Sequence, residues 1–399
     1  MSKLDKLLEG VDVEWKTIKE VFDISAGGDK PKKAMSEVKT DEFCIPILSN
    51  GIDDKALYGW TNKAKIDSPS LTISARGTIG WTSIREKPFY PIVRLIVLTP
   101  KVELNIKFAY YFMKTIEKSY KVPPAGIPQL TKPMIKDVLF PILCPDNPEK
   151  SLKIQKEIVR ILDTFTALTT ALTTELTTEL TARKKQFEYY REQLLTFKEG
   201  EVEWKSLGEV GEFSYGYSAK AKKIGDARFV RISDINTNGK LIPKEAKYVD
   251  LSEDNKKYIL KKNDLVMART GATYGKTLIF EEDYVAIYAG FLIKLSFSKK
   301  IINSKFYWHF AQSNLFWHQA NSLVSGGGQP QFNANALKMV KIPIPSLEQQ
   351  QRIVNILDKF DILTTSISEG LPKEIELRQK QYEYYRNKLL TFSKETVEV

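Results

Sequence analysis

The strongest constraint on this chain is that it contains itself twice. Gln155–Thr170 reads QKEIVRILDTFTALTT, and Gln350–Thr365 reads QQRIVNILDKFDILTT. Arg183–Phe197 reads RKKQFEYYREQLLTF, and Arg378–Phe392 reads RQKQYEYYRNKLLTF. One register holds for both pairs, since 350 − 155 and 378 − 183 each give 195. The start repeats too, with Val13-Glu14-Trp15-Lys16 recurring as Val202-Glu203-Trp204-Lys205. A duplication of this length predicts a pseudo-two-fold molecule offering two similar surfaces to its partners.

The halves match unevenly. Their helical segments agree at most positions, whereas the bodies, roughly residues 25–142 and 213–344, agree only at scattered points. One such point is Ser74-Ala75-Arg76-Gly77-Thr78-Ile79-Gly80 against Met267-Ala268-Arg269-Thr270-Gly271-Ala272-Thr273-Tyr274-Gly275. The other is Gly126-Ile127-Pro128-Gln129-Leu130 against Gly328-Gln329-Pro330-Gln331-Phe332. This pattern implies one scaffold carrying two different readers.

Short β-rich runs, Leu71–Ser74 and Ile92–Leu98, alternate with turn residues in the first body, and a helix is expected over Ile106–Tyr120. The second body repeats the plan with strands at Asp264–Met267 and Ala286–Leu295 and a helix at Ser304–Asn314. The fold class is therefore α+β, divided as 1–150, 151–198, 199–345 and 346–399: body, central helix, body, distal helix. Apolar residues from Ile154 to Leu194 recur in steps of three and four over Ser151–Phe197, read as one long helix or two in line. At ~1.5 Å per residue it reaches ~70 Å, too long to bury against one small domain. Its copy at 346–392 is the natural partner, in an antiparallel coiled coil.

Leu168, Leu172, Leu176 and Leu180 head a Leu-Thr-Thr-Ala/Glu tetrapeptide repeat. A four-residue period drifts about 40° per unit on a 3.6-residue turn, so the leucine row spirals. Two readings stand: low-complexity helical filler, or a ruler in which each unit adds ~6 Å, between one and two base-pair steps of B-DNA. The second copy departs here, and Gly370 and Pro372 predict a kink or break.

A net charge of +11 favours a polyanionic partner without proving one. No apolar run approaches a membrane span, the N-terminus lacks a signal-peptide core, and two cysteines, Cys44 and Cys144, make a disulfide framework unlike this chain; a cytoplasmic location is expected. Catalytic signatures fail on inspection. Gly271–Thr277 is one spacer short of a phosphate-binding loop. His309 and His318, the only histidines, are too few for a zinc site and fit aromatic core packing. Val122-Pro123-Pro124-Ala125 does not supply a methyltransferase motif, and Asp146 and Glu149 are crowded into one turn. No catalytic, cofactor-binding or metal-ligating residue is assigned.

The nucleic-acid signals are stronger as a set. The first body carries Lys63, Lys65, Arg76, Arg85, Lys87, Arg94, Lys118 and Lys121, and the second Lys220, Lys222, Lys223, Arg228, Arg231, Lys261, Lys262, Arg269 and Lys276. Such charges neutralise phosphates and fix register, although each alone also fits a solvated surface. Arg76 and Arg269 stand beside glycine turns read as equivalent, where backbone approaches a ligand closely, or where glycines merely close hairpins. Gln129, Gln331, Asn333 and Asn335 carry amides suited to base edges. Ser325–Gly328 reads as a loop that orders on DNA, or as a turn element.

Together these elements resemble the specificity subunit of a type I restriction–modification system. The tetrapeptide repeat and the Arg-x-Lys-Gln-aromatic-Glu-Tyr-Tyr-Arg segment are similar to the type IC subgroup. The resemblance spans essentially the whole chain. It implies two target recognition domains, each reading half of a bipartite, asymmetric site in double-stranded DNA, with Leu168–Leu180 as spacer. It also implies two methylation subunits carrying S-adenosylmethionine and methylating adenine, and two restriction subunits using ATP and Mg²⁺. This chain then holds no cofactor and meets no membrane. Docking carries over to the recurring helices, on Ile158, Ile161, Phe165, Phe187, Tyr190 and Leu194 and on Ile353, Ile356, Phe360, Tyr382, Tyr385 and Leu389. The alternative is a duplicated coiled-coil adaptor for protein partners with no DNA role.

Overall fold

A computed structural model of the chain describes residues 7–32, 34–122, 127–325, 330–366 and 370–392. Pro123–Gly126, the Gly326–Gln329 stretch of the glycine loop and Ile367–Glu369 lie outside the described residues.

The first body runs β1 (Val13–Thr17), α1 (Ile18–Val21), β2 (Phe22–Ala26), β3 (Ile45–Leu48), β4 (Leu57–Thr61), β5 (Ser70–Ser74), β6 (Thr82–Arg85), β7 (Tyr90–Pro91), β8 (Leu95–Pro100), α2 (Ile106–Ile116), α3 (Lys132–Lys136) and β9 (Leu139–Leu143). The single helix α4 (Pro148–Leu195) follows. The second body runs β10 (Glu203–Ser206), α5 (Leu207–Val210), β11 (Gly211–Tyr215), β12 (Ala227–Val230), β13 (Tyr248–Val249), β14 (Asp264–Ala268), β15 (Thr277–Phe280), β16 (Ala286–Tyr288), β17 (Leu292–Phe297), α6 (Ser304–Phe310), α7 (Asn314–Leu323), α8 (Ala334–Met339) and β18 (Lys341–Ile344). Helices α9 (Leu347–Thr365) and α10 (Leu371–Leu390) close the chain.

Every sheet of one body has its counterpart in the other. The four-stranded antiparallel sheets run β2-β8-β5-β6 and β11-β17-β14-β15, the three-stranded mixed sheets β4-β3-β7 and β13-β12-β16, and the two-stranded sheets β1-β9 and β10-β18. The period-2 rule explains the continuous apolar runs, because the four-stranded sheet is covered on both faces. On β8, Ile96 and Leu98 join the helix-side core while Leu95 and Val97 join a second cluster. On β14, Leu265 and Met267 divide from Val266 and Ala268 in the same way.

Two expected strands are broken, and for one reason. Ile92–Leu98 is interrupted between β7 and β8, and Ala286–Leu295 between β16 and β17. In each case the chain leaves the three-stranded sheet and enters the four-stranded one, turning at Val93-Arg94 or Gly290-Phe291. The helix expected over Ser304–Asn314 is also two helices: Ser313 Oγ donates to Phe310 O and accepts from Phe316 N, so it starts α7.

The chain divides into two compact units, Met1–Thr173 with Arg378–Val399, and Thr174–Leu377. Each unit therefore takes one helical segment from each copy of the repeat. In the first, Ile158 and Leu162 of α4 share a core with Leu389, Leu390 and Phe392. Phe165 stacks on Tyr385 at 5.3 Å, and Thr166 Oγ1 lies 3.0 Å from the Tyr382 hydroxyl, so the segments run antiparallel. In the second, Phe360 of α9 stacks on Phe187 and Tyr190 of α4, while Ile353 and Leu357 pack with Leu195. The Phe165–Tyr385 and Phe360–Tyr190 pairs are the same pair with the copies exchanged.

Each body is also latched to its helix by matching polar contacts. Asn105 and Asn303 cap α2 and α6, each accepting from two backbone N–H groups. Their own N–H groups donate to Gln155 Oε1 and Gln350 Oε1, both at 2.8 Å. Two turns on, Asp163 meets Lys107 at 3.1 Å and the Tyr111 hydroxyl at 2.7 Å, and Asp358 meets Lys305 at 2.8 Å and His309 Nε2 at 2.9 Å. His309 is fully buried, between an aromatic cluster and the carboxylate. Burial lowers its pKa, against the pull of Asp358. Burial also opposes the charged forms of Asp358 and Lys305, yet their mutual ion pair and hydrogen bonds outweigh it, lowering the one pKa and raising the other.

Between Thr365 and Leu371 the second copy is not helical throughout: α9 ends and α10 begins anew. A side chain at Gly370 would sit 2.4 Å from Ile362 O, so the break needs glycine there. Along α4, threonine hydroxyls of the repeat return hydrogen bonds to carbonyls four residues back, as Thr178 does to Thr174 O at 2.9 Å. The leucine row does spiral: Leu168 is exposed, Leu172 half-buried and Leu176 buried.

Candidate nucleic-acid interface

The sheet-to-sheet turns create one apex on each body. In the first, Ala75 N donates to Arg94 O (2.9 Å) and Leu130 N to Ala75 O (2.8 Å). In the second, Arg269 N donates to Phe291 O (3.1 Å) and Phe332 N to Arg269 O (2.8 Å). Three segments thus lie side by side at each apex: the glycine turn, the strand-switch turn and the Pro-Gln segment. Gly77 and Gly271 occupy matching left-handed positions, with φ of 73° and 70°.

This hydrogen-bond register corrects the sequence alignment. Arg269 stands where Ala75 does, and Arg76 where Thr270 does, so the two arginines are not equivalent. Gly80 N donates to Ser74 O and Gly275 N to Ala268 O, so the second turn holds one more residue between the same anchors. In a strand-like segment a shift of one residue sends the side chain to the other side. The true counterpart of Phe291 is Arg94, an exposed non-glycine residue at φ 71°.

Local contacts decide what each apex offers. Arg76, Arg94, Gln129 and Lys132 border one concavity of about 620 Å³. Asn50 Nδ2 holds its turn through Arg76 O at 2.8 Å. In the second body Tyr217, Arg231, Arg269 and Phe291 border a concavity of about 470 Å³. The Arg269 guanidinium lies 5.2 Å from the Tyr215 ring and 5.4 Å from the Phe291 ring, and its Nε donates to Gly290 O at 3.2 Å. Gln331 is exposed beside Thr270, in an antiparallel bridge.

Other assigned residues divide. Lys63, Lys65, Lys121, Lys220 and Lys223 are exposed and form no ion pair among the described residues; Lys276 is half-buried and likewise unpaired. Lys65 lies near the Tyr90 ring. Four assigned side chains are already engaged within the fold. Arg228 is buried, with its guanidinium on Ile242 O and near the Tyr284 hydroxyl. Arg231 is paired at 2.8 Å with the buried Asp234. Lys222 is paired with Asp250. The Asn333 carboxamide oxygen caps α8 through Ala336 N at 3.0 Å. Arg85 sits on β6 with Nε on Thr72 Oγ1, and burial lowers its pKa against the pull of Asp53.

The docking residues need a larger correction. Ile158, Phe187, Ile353 and Leu389 are buried in the units' own cores. Phe165, Tyr190, Phe360 and Tyr385 form the internal stacks, Tyr382 pairs with Thr166, and Ile161, Leu194 and Ile356 are half-buried. The apolar stripe that marks these helices is spent inside each unit's own core. Tyr189 and Tyr384, equivalent in the repeat, point outward instead, 61% and 62% exposed. Sequence periodicity could not separate the two faces, because Tyr-Tyr occupies both.

No helix among the described residues is long and apolar enough to cross a membrane. The family described as "Type I restriction modification DNA specificity domain" matches residues 10–182 and 199–377. The chain is 36% identical to the EcoR124I/EcoR124II type I restriction enzyme specificity subunit of Escherichia coli, over 100% of this chain and 99% of that one. It is 34% identical to a putative type I restriction enzyme specificity subunit of Haemophilus influenzae, over 98% of each. Among solved structures, a chain from work on complex assembly and conformational transition of a type I system aligns over 95% of this chain and 97% of its own, with a TM-score of 0.58 at 14% identity, a likeness of fold.

Proposed function

The chain belongs to the type I restriction–modification specificity-subunit family, and from that premise we propose how it reads DNA and what assembles on it. It is the DNA sequence-recognition subunit and is not itself an enzyme. Each apex reads one half of a bipartite, asymmetric site in double-stranded DNA. Arg76, Arg94 and Gln129 serve one half, and Arg269 and Gln331 the other, with guanidinium and carboxamide groups on base edges. Lys63, Lys65, Lys121, Lys220, Lys223 and Lys276 meet phosphates. The Leu168–Leu180 stretch sets the distance between half-sites. The observation that carries this reading is the pairing of one repeated scaffold with two apices of different chemistry at matching positions.

Two methylation subunits bind the outward helix faces around Tyr189 and Tyr384, and two restriction subunits complete the enzyme. S-adenosylmethionine, ATP and Mg²⁺ act on those partners, in the cytoplasm. The test is methylation-site sequencing of genomic DNA from cells making this chain with its methylation subunit. A bipartite asymmetric motif with methyl-adenine in both halves, present only with this chain, is expected. An active partner with no chain-dependent motif would return the reading to a coiled-coil adaptor.

A further inference from the structure

Phe291 is out of place for a residue that serves the fold. It is 57% exposed, at the tip of the turn where the chain passes from β16 to β17. It belongs to none of the apolar clusters of its unit. Its recorded ring contact is with the Arg269 guanidinium at 5.4 Å. That guanidinium also lies 5.2 Å from the ring of Tyr215, whose hydroxyl accepts from Ala334 N at 3.2 Å and is thereby fixed to α8. Nε of Arg269 is satisfied by Gly290 O, the residue pairs with no carboxylate, and its terminal nitrogens have no hydrogen-bond partner among the described residues. The Arg269 guanidinium is thus close to both rings, Tyr215 and Phe291, and the Phe291 ring is the more exposed of the two.

We propose that Phe291 is a base-stacking wedge: in the half-site read by the second body, its ring stacks on a base exposed by opening the duplex at one step. The inference rests on the DNA-reading role above and names what that apex takes, an unstacked base. An isolated exposed aromatic backed by a cation suits such a base, because every base offers a π-face and the guanidinium adds charge for the backbone. The backbone bond from Arg269 N to Phe291 O fixes the tip to the reading turn. In the first body Arg94 holds the matching position, so that half-site meets a cation where this one meets a ring.

The experiment uses the chain assembled with its methylation subunits and the duplex identified by methylation sequencing. 2-Aminopurine is placed at successive positions of each half-site. Wild type is expected to change its emission at one step of the second half-site. Phe291→Ala should abolish that change and weaken binding about 10- to 100-fold, as loss of one stacked base does. Phe291→Trp should keep both, and signals in the first half-site should be unaltered. Phe291→Ala binding within twofold of wild type, with emission unchanged, overturns the proposal. So does loss of the methylation subunit from Phe291→Ala without DNA, which makes the tip a protein contact. A wild-type complex that prefers no duplex removes the DNA-reading role itself, a result separate from either.

Discussion

Replacing Asp358 or Asp163 with alanine tests the latches against each other. In the second unit the Asp358 carboxylate accepts from His309 Nε2 at 2.9 Å and Lys305 Nζ at 2.8 Å. His309 is fully buried and its Nδ1 already lacks a partner, so Asp358→Ala leaves both ring nitrogens unsatisfied. A new buried orphan costs ~1–3 kcal/mol. Lys305 keeps Glu281 at 3.2 Å and is partly exposed, so its share is only ~0.5–1 kcal/mol. The total is ~1.5–4 kcal/mol. In the first unit the same change costs less. Tyr111 retains Thr166 Oγ1 at 3.4 Å, and the Lys107 side chain is 43% exposed, so Asp163→Ala should cost ~1 kcal/mol. Hydrogen exchange followed separately in α6 and α2 reads each latch. Protection of α6 should fall about 10- to 800-fold in Asp358→Ala, and that of α2 about fivefold in Asp163→Ala. Equal losses at the two sites, or a cost below ~1 kcal/mol for Asp358→Ala, would refute the assignment of the asymmetry to His309.

Acid should act on the second latch first. Burial holds the His309 pKa below its ordinary value of 6.5, so the unfolded chain takes up the proton first as pH falls. Stability of that unit should decline below about pH 6.5, by at most ~1.4 kcal/mol per pH unit. Asp358, whose pKa is also lowered, adds loss only below its ordinary value of 3.8. Denaturation midpoints against pH check this: His309→Gln should flatten the slope between those limits, and an unchanged slope sinks the explanation. Deleting Leu176–Glu179 removes one repeat, ~6 Å of helix, and should shorten the spacer in the methylated motif with both half-sites intact; an altered half-site would count against the ruler. Arg269→Ala should relax one base pair of the second half-site by ~1–3 kcal/mol in methylation competition, and relaxation in the first half-site instead would reverse the assignment of bodies to halves.

The scaffold was legible in the sequence because its physics is local and repeated. Helical periodicity located α4, Gly370 and Pro372 marked the break, and the Asn-capped helices α2 and α6 begin where expected. The strand breaks were only faintly marked: Ile92–Leu98 and Ala286–Leu295 are apolar apart from Arg94, Gly290 and Lys294, and leaving one sheet for another changes partners with little change in hydrophobicity. Phe291 was missed for that reason, read as strand interior when it is a turn tip. The apolar stripe of the helices misled in the opposite direction. Periodicity identifies a buried face but not what buries it, so it points Ile158, Phe187, Ile353 and Leu389 toward partners although the units' own cores use them.

The one-residue offset between Arg76 and Arg269 shows how this architecture separates its two tasks. Strand pairing, the latches and the exchanged Phe–Tyr stacks all repeat from body to body, so stability rests on parts held in common. The apex turns hang from the same backbone hydrogen bonds, Gly80 to Ser74 and Gly275 to Ala268, yet differ in length between those anchors. The extra residue falls after the matching glycines Gly77 and Gly271 and reshapes the tip beyond them, whereas the arginines differ by substitution within one register, and every anchoring bond survives. Loops tolerate such insertions at little cost in closure entropy, since it grows only with the logarithm of length. On the proposed reading, the bases met by each body can therefore change through a few apex positions, such as Arg94 against Phe291, without disturbing the core beneath.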